Sequence, residues 1–199
     1  MKVKIKKEGK IEEFKLINSW SDVSLSTWLQ LIDFETGTKT EEATQTIEAL
    51  SDIPKKLVKE LSLSDVAVIM NKIGELQAKQ DTNLKRLIEI NGIEYGFHPD
   101  LSSITLGEYA DIEQFIKNGI DSSLPELMSV LYRPIKLKKN DIYIIDSYDG
   151  DIRLRAEEMK QMSAEQVQSA LVFFYTLGKV LSEILPLYLM ERLKETKTQ

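Results

Sequence analysis

Three aspartates surround a glycine in the segment Asp146-Ser147-Tyr148-Asp149-Gly150-Asp151. Carboxylate oxygens suit a hard cation such as Ca²⁺, which takes about six to eight oxygen ligands. The spacing does not match the EF-hand loop D-x-[DN]-x-[DN]-G-x₅-E. We therefore expect a solvated acidic turn. Cation binding by Asp146, Asp149 and Asp151 stays open as an alternative, and a small metal-dependent enzyme or regulator would depend on it.

His98 is the one histidine of the chain, and it precedes Pro99 at the exit of a predicted hairpin. A catalytic triad would need a nucleophile and an orienting acid beside it, and neither can be located from the sequence. We expect His98 to be a surface or turn residue.

Two further groups of charged residues could act as an acid pair or an ion pair. Glu108, Asp111 and Glu113 follow a predicted helix start, where the helix dipole favours negative charge. Arg133 stands among apolar residues in Leu131-Tyr132-Arg133-Pro134-Ile135, and such an arginine commonly pairs with a carboxylate to fix local geometry. We interpret both groups as structural.

The composition of the chain and the motifs that it lacks argue against several classes of function. The chain has 26 Lys and Arg against 32 Asp and Glu, a formal net charge of -6, which disfavours general binding to a phosphate backbone. It has no cysteine, and therefore no disulfide, thiolate nucleophile or Cys-based zinc site. A Gly-rich phosphate loop, G-x-S-x-G and H-E-x-x-H are all missing. We predict a protein that is not an enzyme, uses no cofactor and binds no specific nucleic acid.

The sequence contains a repeated phrase. Residues 23–34 are echoed by residues 104–115, and Leu25 matches Leu106 at an offset of 81 residues (106 − 25). Each phrase follows a predicted β-hairpin, and the second hairpin carries Asn91-Gly92, a strong type I′ turn signal. Ser24 and Thr105 are placed to N-cap the helices that follow. Self-similarity at a fixed offset indicates a structural unit that is used twice.

Later elements follow the same order. Helices are predicted over 41–50 and 124–131, each followed by a proline, then from about 61 to 76 and from 159 to about 190. Ser163 and Gln166 fit a capping box. We predict an α+β fold, mainly α, with two pseudo-repeats of a β-hairpin and about three helices, over 1–82 and 83–199. The second has an insertion at about 135–155, with a strand over 142–145, and a long apolar C-terminal helix.

Residues 170–190 form the most apolar stretch of the chain. Lys179, Glu183 and Pro186 argue against a membrane span, since charges are costly in a bilayer and proline bends a helix. We predict a core helix, or one whose apolar surface is covered by a partner chain, without membrane insertion. The candidate partner-contact residues are Phe173, Phe174, Leu177, Leu181, Leu185 and Tyr188.

Four segments of the sequence are similar to segments of known proteins: 19–25 (SWSDVSL), 104–111 (ITLGEYAD), 130–135 (VLYRPI) and 170–178 (ALVFFYTLG). They resemble a group of small structural or assembly proteins of tailed bacteriophages, including crAss-like phages. The resemblance implies a non-enzymatic protein of the portal and tail region, either a virion component or a packaged protein. It brings no catalytic residues.

The resemblance also implies partners. These would be phage portal, ring or tail proteins, with a homo-oligomer left open, in the virion and, during assembly, in the host cytoplasm. The alternative is a tail-assembly chaperone that is absent from the mature virion.

Overall fold

The computed structural model describes residues 1–7, 10–33, 38–77, 83–140 and 142–175. Within these ranges the chain is α+β, as predicted, with eight α-helices and two antiparallel sheets of two and four strands. Among the same residues, no helix is long and apolar enough to cross a membrane.

The N-terminal half packs helices against a small hairpin. Its strands are β1 (Lys2–Lys7) and β2 (Lys10–Lys15), paired from Lys2 with Lys15 to Lys7 with Lys10. The helices are α1 (Leu25–Asp33), α2 (Lys39–Leu50), α3 (Lys55–Val58) and α4 (Leu63–Gln77). Their apolar faces contribute to an N-terminal cluster in which Ile47, Leu50 and Ile69 are fully or almost fully buried.

The C-terminal half contains the four-stranded sheet. Its strands are β3 (Leu87–Ile90), β4 (Ile93–Phe97), β5 (Tyr132–Lys139) and β6 (Ile142–Ile145), hydrogen-bonded in that order. The helices are α5 (Leu106–Asn118), α6 (Leu124–Leu131), α7 (Arg153–Met159) and α8 (164–175). A C-terminal cluster, including Tyr95, Phe97, Leu127, Met128 and Tyr132, lies between the sheet and the helices.

Local signals set most element boundaries. Asn91 and Gly92 have φ angles of 51° and 78°, and this positive φ at both turn positions confirms the predicted hairpin. Ser24 accepts a hydrogen bond from the Thr27 amide at 3.1 Å, so it caps α1 as predicted. The predicted helix over 124–131 and the predicted strand over 142–145 are both present.

The starts of α1 and α8 join the two halves. Ser24 and Ser163 form an antiparallel bridge. The Leu25 amide donates to the Met162 carbonyl and the Ala164 amide to the Val23 carbonyl, each at 2.7 Å. Leu25 thereby enters the C-terminal cluster and Ala164 the N-terminal one. Ser163 and Gln166 form the predicted capping box, with the Ser163 amide 3.0 Å and the Gln166 amide 3.2 Å from its acceptor.

The two halves differ after their opening elements. Helix α2 ends before Ser51, whereas α6 runs directly into β5, which extends the second hairpin to four strands. A shared order of elements does not by itself show that the two halves have the same three-dimensional structure, so the two-fold repeat stays a prediction. The part of the long C-terminal helix predicted beyond residue 175 lies outside the described residues.

The repeated phrase gives a matched pair of substitutions. Leu25 is fully buried, while Leu106 at the equivalent position is 84% exposed. We expect Leu25→Ala to lower the free energy of unfolding by about 2–5 kcal/mol, because it leaves a cavity between α1 and the C-terminal cluster. Leu106→Ala should change it by about 0.5 kcal/mol or less. Chemical denaturation measures both, and equal losses would contradict the assigned burial.

Candidate functional site

Three charged or titratable side chains meet inside the C-terminal half. His98 follows β4, Glu108 lies in the first turn of α5 and Arg133 lies near the start of β5; all three are buried. Arg133 Nη2 is 2.6 Å from Glu108 Oε1, and His98 Nε2 is 3.6 Å from the same oxygen. We call these three residues the ion cluster.

Helix capping positions the carboxylate. The Thr105 amide and Oγ1 donate to Glu108 Oε2 at 2.7 and 2.6 Å, and the Glu108 amide donates to Thr105 Oγ1 at 3.3 Å. This capping box leaves Oε1 to face Arg133. The Arg133 guanidinium also lies 5.8 Å from the ring centroid of Tyr148, whose hydroxyl donates to Asp111. Helix α5 and the chain after β6 therefore enclose the arginine.

Burial and neighbouring charges set the protonation states. Burial alone would raise the pKa of Glu108, but the hydrogen bonds from Thr105 and the Arg133 charge outweigh it, and the pKa is lowered. For His98, burial lowers the pKa despite the nearby Glu108 carboxylate. At neutral pH the cluster thus holds a carboxylate, a guanidinium and an uncharged imidazole.

The ion cluster suits a structural role better than catalysis. Its charges pair with each other, and Thr105, the hydroxyl beside them, is committed to the cap. Arg133 Nε lies buried without a hydrogen-bond partner among the described residues, whereas Glu108 Oε1 has Arg133 Nη2 at 2.6 Å. Breaking such a pair by removing one partner costs about 3–5 kcal/mol, because an unpaired buried charge remains. The cluster therefore ties α5 to β5.

The sequence predictions for these residues have mixed outcomes. The prediction that Arg133 pairs with a carboxylate is confirmed, and the partner is Glu108. The prediction that His98 is a surface or turn residue at a hairpin exit is wrong about exposure, because His98 is 7% exposed against Glu108, although it does directly follow β4. Glu113 pairs with Lys117 at 3.1 Å on the surface of α5.

Arg155 organises the acidic turn. Asp149 Oδ1 accepts from the Asp151 amide at 3.1 Å and lies 3.4 Å from Arg155 Nη2. Arg155 Nε in turn donates to the Ser129 carbonyl at 2.9 Å. Across the part of the chain that the structure describes, no group of three or more His, Asp or Glu side chains is arranged to hold a metal ion.

Of the candidate partner-contact residues, Phe173 and Phe174 are described. Both lie in α8 and pack partly against the C-terminal cluster, and the Phe173 ring meets Phe97 edge-on at 5.4 Å between centroids. Their neighbours Val172 and Tyr175 are exposed. The remaining candidates lie outside the described residues: Leu177, Leu181, Leu185 and Tyr188.

An apolar strip on the β5–β6 ribbon is the strongest candidate interface. Leu137 and Ile144 are cross-strand partners, and Ile142 lies two residues before Ile144 on the same face. Their side chains are 64%, 55% and 78% exposed, respectively. We call these three residues the β6 strip.

The side chains on the opposite face of β6 pack against the rest of the sheet. The Tyr143 hydroxyl donates to the Phe97 carbonyl at 2.7 Å, and Ile145 is buried. The Tyr143 ring lies directly over Gly96, where an added Cβ would come within 2.7 Å of its Cδ2. The missing side chain at Gly96 therefore lets β6 pack closely, and strand alternation then directs Ile142 and Ile144 outward.

Strand β6 also ends the sheet. It is the last strand in the order β3-β4-β5-β6, so within the described ranges no strand pairs with its outer edge. Edge strands offer unpaired N–H and C=O groups, and natural proteins usually protect them with charge or proline. Here the edge residues are Ile142, Tyr143, Ile144 and Ile145. This combination suits the addition of a strand from another chain, with apolar side chains beside it.

No protein-family model, curated protein or solved structure matches this chain. The β6 strip and the outer edge of β6, which no strand of the described residues covers, are therefore the observations that bear on function. The sequence predicted the strand over 142–145 but not its exposed face, because Ile-Tyr-Ile-Ile is apolar at every position and does not distinguish an inner from an outer face.

The ion cluster predicts a pH dependence of stability. Because the pKa of folded His98 lies below the ordinary value of 6.5, the unfolded chain binds a proton that the folded chain does not. We expect the free energy of unfolding to fall as the pH decreases below about 6.5, by at most about 1.4 kcal/mol per pH unit for one proton. The loss ends at the lowered pKa of the folded state.

The variant His98→Asn isolates this effect, since His98 is the one histidine of the chain. Urea unfolding from pH 7 to pH 5 should show a shallower loss of stability for the variant than for the wild type. Equal slopes would contradict the burial of an uncharged His98.

Proposed function

We propose that this chain is a non-enzymatic protein of a tailed bacteriophage that acts through protein–protein contacts in the virion. It would be a component of the portal or tail region or a packaged protein. Two observations support the proposal: the four segments that resemble phage structural and assembly proteins, and the β6 strip beside a free strand edge. The β6 strip is the main observation in support of a contact surface.

The contact would be made by strand addition. A segment of a portal, ring or tail protein would pair with the outer edge of β6, and main-chain hydrogen bonds would supply much of its affinity. Covering Ile142 and Ile144 would remove apolar surface from water, which stabilises a complex by roughly 25 cal/mol per Å² before the cost of association.

We also infer that the two halves share one ancestral unit. Supporting this, Leu25 and Leu106 begin α1 and α5, each after a hydroxyl N-cap and each downstream of a hairpin. The β5–β6 ribbon stands where the second half departs from the first. The proposed contact surface therefore lies on the element that the first half lacks.

Quantitative mass spectrometry of purified particles tests the virion assignment. We expect the chain at a fixed number of copies per particle. Its absence from mature particles, together with binding to tail precursors in infected cells, would overturn the assignment in favour of a tail-assembly chaperone.

Substitutions on the β6 strip test the surface. The variant Ile142→Lys/Ile144→Lys should lower incorporation into particles by about tenfold or more, a loss equivalent to about 1.4 kcal/mol or more. Leu154→Lys is the matched control, because Leu154 in α7 is 77% exposed, against 78% for Ile142. Thermal unfolding should show that both variants stay folded. Equal incorporation of the two variants would remove the β6 strip from the proposal.

A further inference from the structure

A groove lies between α2, α3 and the start of α4, on the half of the chain that does not carry the β6 strip. Its volume is about 760 Å³. The apolar side chains that line it are Ala43, Ile47, Val58, Leu61, Leu63 and Val66. Four lysines line it as well: Lys39, Lys55, Lys56 and Lys59. We call it the lysine-rimmed groove.

The apolar side chains that line the groove differ in their exposure to solvent. Ile47 and Val58 are buried in the N-terminal cluster beneath the groove, and Leu61 and Val66 are half-buried at its surface. Leu63, at the first position of α4, is 89% exposed, the most exposed large apolar side chain among the described residues. Covering an exposed leucine removes apolar surface from water, so a partner that covers Leu63 gains binding free energy.

The charges around the groove are unbalanced. Two carboxylates, Glu41 and Glu48, also line the groove, against four lysines. Lys55 pairs with Glu48 at 3.2 Å, and Glu41 accepts hydrogen bonds from Thr38 in a capping box. Lys39, Lys56 and Lys59 make no ion pair within 4 Å to any carboxylate of the described residues. The chain as a whole has a net charge of -6, so this positive rim runs against its overall charge. A local patch of this kind steers an acidic partner.

The dimensions fit a helix. Helix α2, which forms one wall, has 12 residues and is therefore about 18 Å long. Helix-in-groove recognition places apolar anchors at positions i, i+3 or i+4, and i+7 in such a groove. The apolar lining would take these anchors, and the lysines would lie beside acidic residues on the flanks of the helix.

We propose that the lysine-rimmed groove binds an acidic amphipathic helix of another protein. The anchors pack on Leu61, Leu63 and Val66, and Asp or Glu side chains pair with Lys56 and Lys59. This contact is separate from the β6 strip and does not depend on the phage assignment, because neither the strip residues nor the resemblance enters the argument.

A peptide selection tests the proposal. The probe is a display library of random peptides of about 16 residues, roughly 24 Å long as a helix, selected on the full chain. We expect enriched peptides to carry apolar residues at helical spacing and a net negative charge. The affinity of a synthetic enriched peptide, followed by fluorescence anisotropy, should fall between about 50 and about 300 mM salt, because exposed charge pairs are screened.

Two groove variants and one control locate the binding. Lys56→Glu/Lys59→Glu and, separately, Leu63→Glu should each weaken the peptide by about tenfold or more. Lys136→Glu/Lys139→Glu makes the same charge change at exposed lysines on β5 and should leave the affinity within about twofold. Leu63→Glu keeps the test usable if the double charge reversal disturbs folding, since Leu63 lies at the surface.

Several outcomes would overturn the proposal. They are a selection that returns no ligand, enriched peptides with net positive charge, and peptides whose affinity is the same for both groove variants and the control. Enriched peptides whose sequences match a helix of this chain would replace the separate partner with a second copy.

Discussion

The buried pair of Glu108 and Arg133 determines how the C-terminal half is arranged. Taking two charges out of water is costly, and close pairing offsets much of that cost. Thr105 binds one oxygen of Glu108 and Arg133 approaches the other, so a single carboxylate caps α5 and holds the start of β5. His98, uncharged beside it, fills the end of β4 without adding a third charge. The ion pair therefore connects helix α5, the four-stranded sheet and the β5–β6 ribbon.

The ribbon extends from that point to the surface. Arg133 pairs in register with Gly96 in β4, and Gly96 is also the position over which Tyr143 packs. Constraints at the ion cluster and at Gly96 together orient β6, with Tyr143 inward and the β6 strip outward. The charged residues of the core thus act as positioning groups, and the exposed apolar residues form the surface for which we propose a contact.

Elements that depend on neighbouring residues could be predicted from the sequence. Asn91-Gly92, the Ser163–Gln166 capping box and the helix over 124–131 follow from local turn, cap and proline chemistry. The partner of Arg133 could not be identified, since Glu108 is 25 residues away (133 − 108) and reaches it only in the folded chain.

Burial was the least predictable property for the same reason. Leu25 and Leu106 occupy the same position in a repeated phrase, yet one is buried and the other exposed, because only α1 meets the chain at Met162. His98 was expected at the surface beside Pro99 and instead lies against Glu108. The groove between α2, α3 and α4 likewise needs three helices to come together before its lysines become neighbours.

Hydrogen exchange at β6 would show whether the edge of β6 receives a strand from a partner, as we propose. Exchange would be compared for residues 142–145 in the isolated chain and in the chain bound to particles or their precursors. We expect slower exchange of the β6 amides in the bound state, since added main-chain hydrogen bonds protect an edge. Unchanged exchange at β6, with protection elsewhere in the bound chain, would contradict it.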